Sequence, residues 1–512
     1  MRTLRALGAA GAAALLTASV ATAAPSPPPA PRPQLTDAAV DKAVARLDAT
    51  VADMMRRTGV PGVAVAVVHD DEVVHLKGFG VRRTGESTAI DPDTVFQIAS
   101  LSKPISSTVV AGTLTDPDEW NRHTALPGFS LKDPWVTGHV TTADLFSHRS
   151  GLPDHAGDLL EDLGYDRSYI LDHLRLEPLT PFRASYAYTN FGLTAAAEAV
   201  ARAKGTSWQK LADDTLFKPA GMTDTSTEFS AFINNPDRAA THVKNPDGTW
   251  SARSVRNPDA QAPAGGVSST ARDMSRWLRL QLADGTLDGK RIIPADTLAR
   301  THVPEIVSQP PATPTARTGF YGLGWNVSYD DAGRLRLSHS GAFEFGGANT
   351  NVTMLPLEKL GIVVLTNGAP VGLADAVALD FFDVAEHGKA TTDWLGLVGS
   401  LYAQMEAAGR SPTDYAHPPA GAKPARDSAA YTGTYDNPYY GRATVTADDD
   451  GALTLALGPK PLRFPLTHYD ADTFSFETTG ENAVGRTGVT FADGTLRVEY
   501  LDANHLGTFT RQ

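Results

Sequence analysis

The segment FQIASLSK at residues 96–103 determines how the rest of the sequence is interpreted. It places Ser100 three positions before Lys103, a spacing that brings a hydroxyl and an amine into contact range on one face of a helix. A serine alcohol is a weak nucleophile at neutral pH, and an adjacent amine acts as its base only if burial or positive charge lowers the amine's pKa. The spacing therefore predicts a partly enclosed site with Ser100 as nucleophile and Lys103 as base.

Two further expectations concern the local backbone. If Ser100 opens a helix, its own N–H can face the oxyanion that develops on a substrate carbonyl. Pro104 disfavours helical geometry at Lys103, so the first turn of that helix is expected to be irregular.

The S-x-x-K spacing occurs again at Ser207 and Lys210, where we interpret the serine as a helix cap. Ser100 differs because two polar triplets follow it, Tyr188-Thr189-Asn190 and His339-Ser340-Gly341. Their order matches that of active-site serine enzymes with an S-x-x-K, a second polar motif and a K-T-G-like triplet. The joint order favours a functional role for the first S-x-x-K.

Other chemistries lack support in the sequence. It holds no H-E-x-x-H motif, no Walker-type G-K-[ST] loop and no G-x-S-x-G elbow. Zero cysteines exclude thiol catalysis and disulfides. We therefore predict neither a metal nor a cofactor. The formal net charge of −13, without a long acidic run, argues against nucleic acid as a partner. A small-molecule or peptide substrate is expected, and the oligomeric state stays open.

The N-terminal residues predict export. Residues 1–23 combine Arg2 and Arg5 with an Ala-rich apolar stretch and a small-residue ending, as in a secretory signal peptide. A Pro-rich spacer follows at 24–35. No later apolar run is long enough to span a bilayer, so we expect a secreted, extracytoplasmic protein without stable membrane insertion.

Hydrophobic patterning over 36–390 predicts one α/β domain. Apolar residues between Val40 and Met54 recur at helical spacing, and two pairs of apolar runs flank turns at Asp70-Asp71 and 356–361. Because one pair lies near each end of the domain, we expect one sheet assembled from both ends. The helix would cover this sheet, and the intervening residues would form a helical lobe.

The pattern changes towards the C-terminus. Residues 391–427 are predicted to form a helix and a Pro-rich linker. Short apolar runs separated by turn residues fill 428–512, which indicates a small all-β domain, either a barrel or a curved sheet.

Together the motifs resemble the serine β-lactamase and penicillin-binding protein superfamily. The resemblance is to the class C-like branch of this superfamily, in which a Y-x-N motif replaces S-D-N. This branch includes D-alanyl-D-alanine carboxypeptidases, D-aminopeptidases and esterases. It covers roughly residues 36–386 and implies an α/β (α+β) fold, an antiparallel sheet covered by helices plus an all-helical lobe. From Tyr431 onward the chain resembles the small lipocalin-like β-barrel often appended to such hydrolases. Further matching segments are Gly59–Gly62, Leu145–Leu152, Phe217–Met222 and Ala264–Ser269.

The resemblance implies a role for each motif residue. Ser100 would attack the carbonyl and Lys103 would take its proton. Tyr188 would pass a proton to the leaving group or activate the deacylating water, and which of Lys103 and Tyr188 is the general base stays open. Asn190 would orient the substrate amide and hold the Lys103 ammonium.

The later triplet would complete the site. By resemblance, the backbone N–H groups of Ser100 and Ala342 form the oxyanion hole, and Ser340, Gly341 and Ala342 belong to the substrate-binding part of the site. His339 and Ser340 would contact a substrate carboxylate or help to transfer protons. His339 stands where penicillinases usually have lysine, so a fixed positive charge for the β-lactam carboxylate is missing, which argues against efficient β-lactam hydrolysis.

Similar patterns elsewhere are interpreted as structural. The second Y-x-N at Tyr435 to Asn437 lies near a predicted turn. His148 and Asp154 suggest a Ser-His-Asp arrangement, but they lie in a Gly- and Pro-containing loop.

The leading function hypothesis is a secreted serine hydrolase that acts through an acyl-enzyme on a small amide or ester, such as a D-amino-acid peptide. A carboxylesterase of the same fold is the first alternative. A non-catalytic penicillin-binding-like binder or receptor is the second.

Overall fold

The computed structural model describes residues 32–512. The predicted signal peptide 1–23 and residues 24–31 of the predicted spacer lie outside the described residues. Within 32–512, no helix combines the length and apolarity needed to cross a membrane.

An eight-stranded sheet forms the centre of the first domain. Its strands are β1 Gly62–His69, β2 Glu72–Gly80, β3 Ile306–Gln309, β4 Gly319–Tyr321, β5 Asn326–Tyr329, β6 Leu335–Phe343, β7 Ala348–Leu355 and β8 Leu360–Thr366.

The sheet joins the two ends of the domain, as the sequence predicts. The spatial order is β2-β1-β8-β7-β6-β5-β4-β3, and every neighbouring pair is antiparallel. Asp70 and Asp71 connect β1 to β2 with positive φ angles of 47° and 68°, which suits the tight turn of a hairpin. Both predicted hairpins are confirmed.

Helices cover both faces of this sheet and form the lobe beside it. The α-helices are α1 Asp37–Thr58, α2 Ser102–Thr113, α3 Pro134–His139, α4 Thr142–Phe146, α5 Asp158–Asp162, α6 Arg167–His173, α7 Asn190–Ala203, α8 Trp208–Ala212, α9 Lys218–Ala220, α10 Phe229–Asn234, α11 Ala262–Gly265, α12 Ala271–Leu282, α13 Ala295–Ala299, α14 Leu373–His387 and α15 Trp394–Gly409.

The two faces of β1 bury different neighbours. Val63, Val65 and Val67 belong to the apolar cluster that includes buried residues of α1 and α14. The alternate residues Ala64 and Ala66 belong to the core shared with α12 and the helical lobe. Because successive strand residues point to opposite faces, β1 is buried throughout and fixes the sheet between two helical layers.

The C-terminal domain is a nine-stranded antiparallel sheet. Its strands are β9 Gly433–Asn437, β10 Gly441–Ala447, β11 Leu453–Leu457, β12 Leu462–Pro465, β13 Thr467–Asp470, β14 Thr473–Glu477, β15 Arg486–Ala492, β16 Thr495–Val498 and β17 Thr508–Arg511.

This second sheet is a nearly closed barrel. Its order is β12-β11-β10-β9-β17-β16-β15-β14-β13, so the two edge strands follow one another in the chain with only Leu466 between them. Aromatic side chains such as Tyr431, Phe474 and Phe491 pack against each other inside it. The predicted fold class, an α/β domain followed by a small all-β barrel, is confirmed.

The barrel packs against the helical lobe. The Tyr165 hydroxyl donates to the Tyr440 carbonyl at 2.8 Å, and the Tyr169 hydroxyl donates to the Tyr439 carbonyl at 3.1 Å. The connecting residues 411–427 contain neither helix nor strand.

Candidate active site

A short 3-10 turn carries the predicted nucleophile. It spans Ala99–Leu101, and α2 begins at Ser102, so Ser100 precedes the α-helix rather than opening it. A 3-10 helix has three residues per turn, so residues i and i+3 are eclipsed. Lys103 lies inside α2, because Pro104 falls in the first turn, where its missing N–H costs no helical hydrogen bond.

The backbone of this turn is held by side-chain hydrogen bonds. Ala99 adopts a left-handed φ of 48°, which is costly for a residue other than glycine. The Ser102 hydroxyl donates to the Ala99 carbonyl at 2.6 Å and accepts from the Val267 N–H at 2.9 Å. These contacts fix the backbone on both sides of Ser100.

Lys103 is completely buried and points at the nucleophile. Its Nζ lies 3.0 Å from the Ser100 Oγ, 2.7 Å from the Asn190 Oδ1 and 3.0 Å from the Ala264 carbonyl. Burial lowers the pKa of the Lys103 amine well below its usual value. The nearby Asp158 opposes this shift, and Arg256 adds to it. The amine is thereby made available in its neutral form.

Tyr188 meets the nucleophile from the other side. Its hydroxyl donates to the Ser100 Oγ at 2.9 Å, and the Lys103 Nζ lies 4.4 Å from the centroid of its ring. Burial raises the pKa of the Tyr188 phenol well above its usual value and outweighs the opposing effect of the hydrogen bond with Ser100. The phenol is therefore protonated and can serve as a proton donor.

Asn190 connects Lys103 to a carboxylate that sequence reasoning missed. Its Oδ1 accepts from Lys103, and its Nδ2 donates to the Asp158 Oδ2 at 2.8 Å. Asp158 also hydrogen-bonds the His155 Nδ1 at 2.8 Å. Burial lowers the pKa of His155, but the Asp158 hydrogen bond and charge outweigh it and raise this pKa to about 8. No recognised motif marks Asp158, because its role depends on a contact with a distant helix.

His339 reaches the site from β6 as a neutral ring. Its Nε2 accepts from the Tyr321 hydroxyl at 2.9 Å, and its Nδ1 lies 2.8 Å from the Ser340 carbonyl. Burial, assisted by the charge of Lys103, lowers the pKa of His339 to about 3. With both nitrogens engaged, the ring holds no positive charge for a substrate carboxylate.

Ser340 and Gly341 lie on opposite sides of the same strand. The Ser340 hydroxyl donates to Asp375 of α14 and accepts from the Asn351 Nδ2 at 3.2 Å, so the structure does not bring it to Ser100. Gly341 lies against the nucleophile turn, because a Cβ added there would be 2.4 Å from the Ile98 carbonyl oxygen and 3.1 Å from the Ser100 nitrogen. The amide of Ala342 follows directly in the strand.

Two aromatic side chains complete the walls of the site. Tyr321 was not predicted, because no motif marks it, and its hydroxyl donates to the His339 Nε2 only in the folded chain. The His148 ring, interpreted from sequence as part of a structural loop, lies 4.5 Å from the Tyr188 ring and 4.8 Å from the Tyr321 ring. Its Nδ1 accepts from the Thr189 N–H at 3.1 Å, so the ring supports the tyrosine from behind. Asp154 accepts from the Tyr188 N–H at 2.8 Å.

The second S-x-x-K and the second Y-x-N of the sequence lie outside this site and have structural roles, as predicted. The Ser207 hydroxyl accepts from the Lys210 N–H at 3.2 Å and caps α8. The Tyr435 hydroxyl donates to the Tyr431 carbonyl at 2.7 Å, and the Asn437 Oδ1 accepts from two backbone N–H groups in its turn.

Comparison with known protein families gives the assignment. The model of the family described as Beta-lactamase matches residues 47–381, more than half of the chain. The chain belongs to the beta-lactamase family. The predicted resemblance to the β-lactamase and penicillin-binding protein superfamily is thus confirmed. A second family model, described as a domain of unknown function (DUF3471), matches residues 417–502.

Relatives in this family include a penicillin-binding protein, a hydrolase and a peptidase. The chain is 29% identical to penicillin-binding protein 4 of Amycolatopsis lactamdurans, over 74% of this chain and 93% of that protein. It is 24% identical to the unguisins hydrolase ungD of Aspergillus violaceofuscus, over 77% of this chain and 75% of the relative. It is 25% identical to the D-alanyl-D-alanine-carboxypeptidase/endopeptidase AmpH of Escherichia coli, over 61% and 81% of the two chains.

A solved structure shows the same fold. The octameric penicillin-binding protein homologue from Pyrococcus abyssi superposes with a TM-score of 0.57 at 17% identity, covering 89% of this chain and 98% of that one. As a beta-lactamase family member, the chain is a serine hydrolase, and the predicted enzyme class is confirmed.

Proposed function

We propose that the protein hydrolyses a small amide or ester through an acyl-enzyme on Ser100, outside the cytoplasm. The observation that supports this function is that the Lys103 amine and the Tyr188 phenol both contact the Ser100 hydroxyl. A buried amine with a lowered pKa lies 3.0 Å from the Ser100 Oγ, and a protonated phenol lies 2.9 Å from it. The secreted location rests on the predicted signal peptide at 1–23.

In the acylation step, neutral Lys103 removes the Ser100 proton as Oγ bonds to the substrate carbonyl carbon. The backbone N–H groups of Ser100 and Ala342 stabilise the oxyanion of the tetrahedral intermediate. The bond to the leaving group then breaks as Tyr188 donates its proton to the departing nitrogen or oxygen. The ammonium of Lys103 returns a proton to Tyr188, so the charge is restored before water attacks the acyl-enzyme.

The amide of Asn190 and the carboxylate behind it have a supporting role in these steps. Asp158 reaches Lys103 only through Asn190, yet its charge favours the ammonium that forms when the serine proton is taken. We therefore assign Lys103 as the general base and Tyr188 as the general acid. Tyrosinate is the less accessible base, because burial raises the pKa of this phenol.

The charges around the site favour substrates without a carboxylate next to the scissile bond. His339 is neutral, Lys103 is engaged with the nucleophile, and the guanidinium of Arg256 is paired with Glu161 at 2.6 Å. Asp154 instead offers an exposed carboxylate beside Tyr188, where a substrate amine could bind. A peptide or amide of a D-amino acid with a free amine fits this charge pattern.

A carboxylesterase is the second candidate function. A neutral ester needs no charged partner, and the one histidine beside the site with a raised pKa among the described residues, His155, is already paired with Asp158 at 2.8 Å. A panel of p-nitrophenyl esters, D-amino-acid amides and D-Ala-terminated peptides, compared by kcat/KM, separates the two. A preference for D-Ala-terminated peptides with a free carboxylate would contradict the charge argument.

The nucleophile is tested by labelling the protein with a fluorophosphonate and mapping the modified residue. We expect one adduct on Ser100, none on S100A, and a burst of product with a chromogenic ester in the wild type. K103R should lose at least about 100-fold in kcat, because a guanidinium cannot act as a base.

Lys210 provides the matched control for this test. It occupies the second S-x-x-K, is exposed and pairs with Asp214, so K210R should keep wild-type kcat. Labelling of another residue, or equal labelling of S100A, would refute the assignment.

A further inference from the structure

Two carboxylates, one from the barrel and one from the hydrolase domain, each bind backbone N–H groups of the other domain. We call this reciprocal contact the carboxylate exchange. Asp162 of the hydrolase domain accepts from the backbone N–H groups of Glu481 at 3.0 Å and of Asn482 at 2.8 Å. In return, Glu481 of the barrel accepts from the backbone N–H groups of Glu344 and of Gly346, the latter at 3.0 Å. Each carboxylate thus holds a loop of the other domain in place.

Glu481 binds a loop that comes immediately after β6, the strand that carries His339 and Gly341. Glu344 comes immediately after β6, two residues beyond the Ala342 amide that we assign to the oxyanion hole. The Glu481 carboxylate also lies 3.7 Å from the Arg256 guanidinium, and both side chains are about nine-tenths buried. Glu481 therefore contacts two segments of the hydrolase domain with one side chain.

The two segments, at Arg256 and at 344–346, meet at Phe343. Phe343 also contacts the turn that carries the nucleophile. The Arg256 guanidinium lies 4.6 Å from the centroid of the Phe343 ring. On its other side, Phe343 packs with Ala99 in a small buried cluster. The Arg256 carbonyl also accepts from the Gln97 side chain at 2.9 Å. Contacts thus run without a gap from the barrel to the residue that precedes Ser100.

Ala99 needs such support. Its left-handed φ of 48° is unfavourable for alanine and persists only where the surroundings enforce it. The Ser100 amide depends on this conformation, and the Ala342 amide depends on the end of β6. Both proposed oxyanion donors are therefore adjacent to residues that Glu481 and Arg256 hold.

We propose that Glu481 of the barrel is a positioning residue for catalysis, which sets the oxyanion donors of the hydrolase domain through Arg256, Phe343 and the 344–346 backbone. The barrel is then part of the catalytic apparatus, although none of its residues touches the reacting atoms. The inference rests on the proposed acyl-enzyme function.

The test uses the full chain with E481Q, because glutamine keeps the size but replaces one acceptor by a donor opposite a backbone N–H. We expect kcat for a p-nitrophenyl ester to fall at least tenfold while KM stays within twofold. Binding of a phenylboronic acid, whose tetrahedral adduct occupies the oxyanion hole, should weaken by a similar factor. A merely structural role would not split kcat from KM in this way.

Glu477 offers the matched control in the same domain. It lies at the end of β14, is exposed and pairs only with Arg486 among the described residues. E477Q should keep wild-type kcat, KM and boronate affinity. Should E481Q fail to fold, F343L probes the same path from the hydrolase side, leaves the carboxylate exchange intact and should reproduce the loss of kcat.

The outcomes separate the inference from the function on which it rests. Folded E481Q with wild-type kcat and boronate affinity would overturn the positioning role of Glu481, as would F343L without an effect. A wild-type protein whose turnover does not depend on Ser100 would refute the proposed function instead.

Discussion

Lys103 shows what burial does to a single side chain. Its ammonium would be stabilised by a carboxylate in contact, but within residues 32–512 none lies within salt-bridge distance of Nζ. The amine instead contacts a hydroxyl, an amide oxygen and a backbone carbonyl, three neutral acceptors. Desolvation then outweighs the distant charge of Asp158 and lowers the pKa of the amine.

The lowered pKa of His339 predicts how the free energy of unfolding depends on pH. Its pKa is about 3 in the folded protein and about 6.5 in an unfolded chain, so the unfolded state binds the extra proton between these values. Stability should therefore fall as pH drops below 6.5, by about 2 kcal/mol at pH 5 from this residue. Urea unfolding of the wild type and H339Q at pH 7.5 and pH 5 measures the difference.

The glutamine variant should lose that part of the pH dependence, since its amide does not titrate. H417Q is the control, because the His417 ring is exposed in the linker. An unchanged difference between pH 7.5 and pH 5 in H339Q would show that His339 is not buried as a neutral ring.

At the scale of elements, the site is built by one strand lying against one turn. Gly341 of β6 touches the backbone of the 99–101 turn so closely that no side chain fits between them. In the same strand, the His339 side chain points into the site and the Ser340 side chain points towards α14, because successive side chains of a strand face opposite sides. The pleat of the strand thus decides which of two neighbouring polar residues faces the nucleophile.

G341A should separate the strand from the nucleophile turn. The added Cβ would lie 2.4 Å from the Ile98 carbonyl oxygen, so one backbone must move. We expect a loss of at least about 100-fold in kcat, as for other small displacements of reacting groups. The stability cost should be about 1–3 kcal/mol. Steady-state kinetics and urea unfolding measure both.

Gly138 provides the control, since a Cβ there would meet nothing within 4 Å. It lies in α3, and G138A should keep full activity with equal or higher stability. Full activity in G341A would show that this strand does not determine the position of Ser100.

At the scale of the whole molecule, two domains share a polar contact that the sequence does not mark. The lobe presents Asp162 and two tyrosine hydroxyls, which bind backbone groups of the barrel. Since these bonds use backbone atoms, the identity of the residues on the barrel side is weakly constrained. The contact therefore leaves little trace in the amino-acid sequence.

D162A should weaken the docking of the two domains. It removes the acceptor for the N–H groups of Glu481 and Asn482 and for the Asn482 side chain. Leaving partly buried donors unpaired costs about 1–3 kcal/mol each, so we expect a loss of at least about 2 kcal/mol in the free energy of unfolding. Urea denaturation followed by tryptophan fluorescence measures it.

Asp172 serves as the control, because it is half exposed and its pair with Arg175 spans 3.4 Å. D172A should change stability by less than about 1 kcal/mol. Equal stability of D162A and the wild type would show that the carboxylate exchange does not hold the domains together.

Several elements followed directly from the sequence. The two hairpins, the covering helix α1 and the β-rich C-terminal domain were predictable, because each depends on local periodicity and turn chemistry. The clustering of Ser100, Lys103, Tyr188 and Asn190 was predictable because three motifs occur in a set order. The 3-10 turn at Ala99–Leu101 was not, since the φ of Ala99 is imposed by contacts with distant residues.

By itself the sequence determined which chemical groups are present: a hydroxyl, an amine one turn away, a phenol and an imidazole in place of a lysine. Tertiary structure alone decided their electrostatic state and orientation. It buried Lys103 and His339 and so lowered the pKa of both, turned Ser340 away, and brought Asp158, Tyr321 and Glu481 towards the site. The reason is physical: pKa and orientation depend on neighbours in space, and those neighbours lie up to several hundred residues apart in the chain.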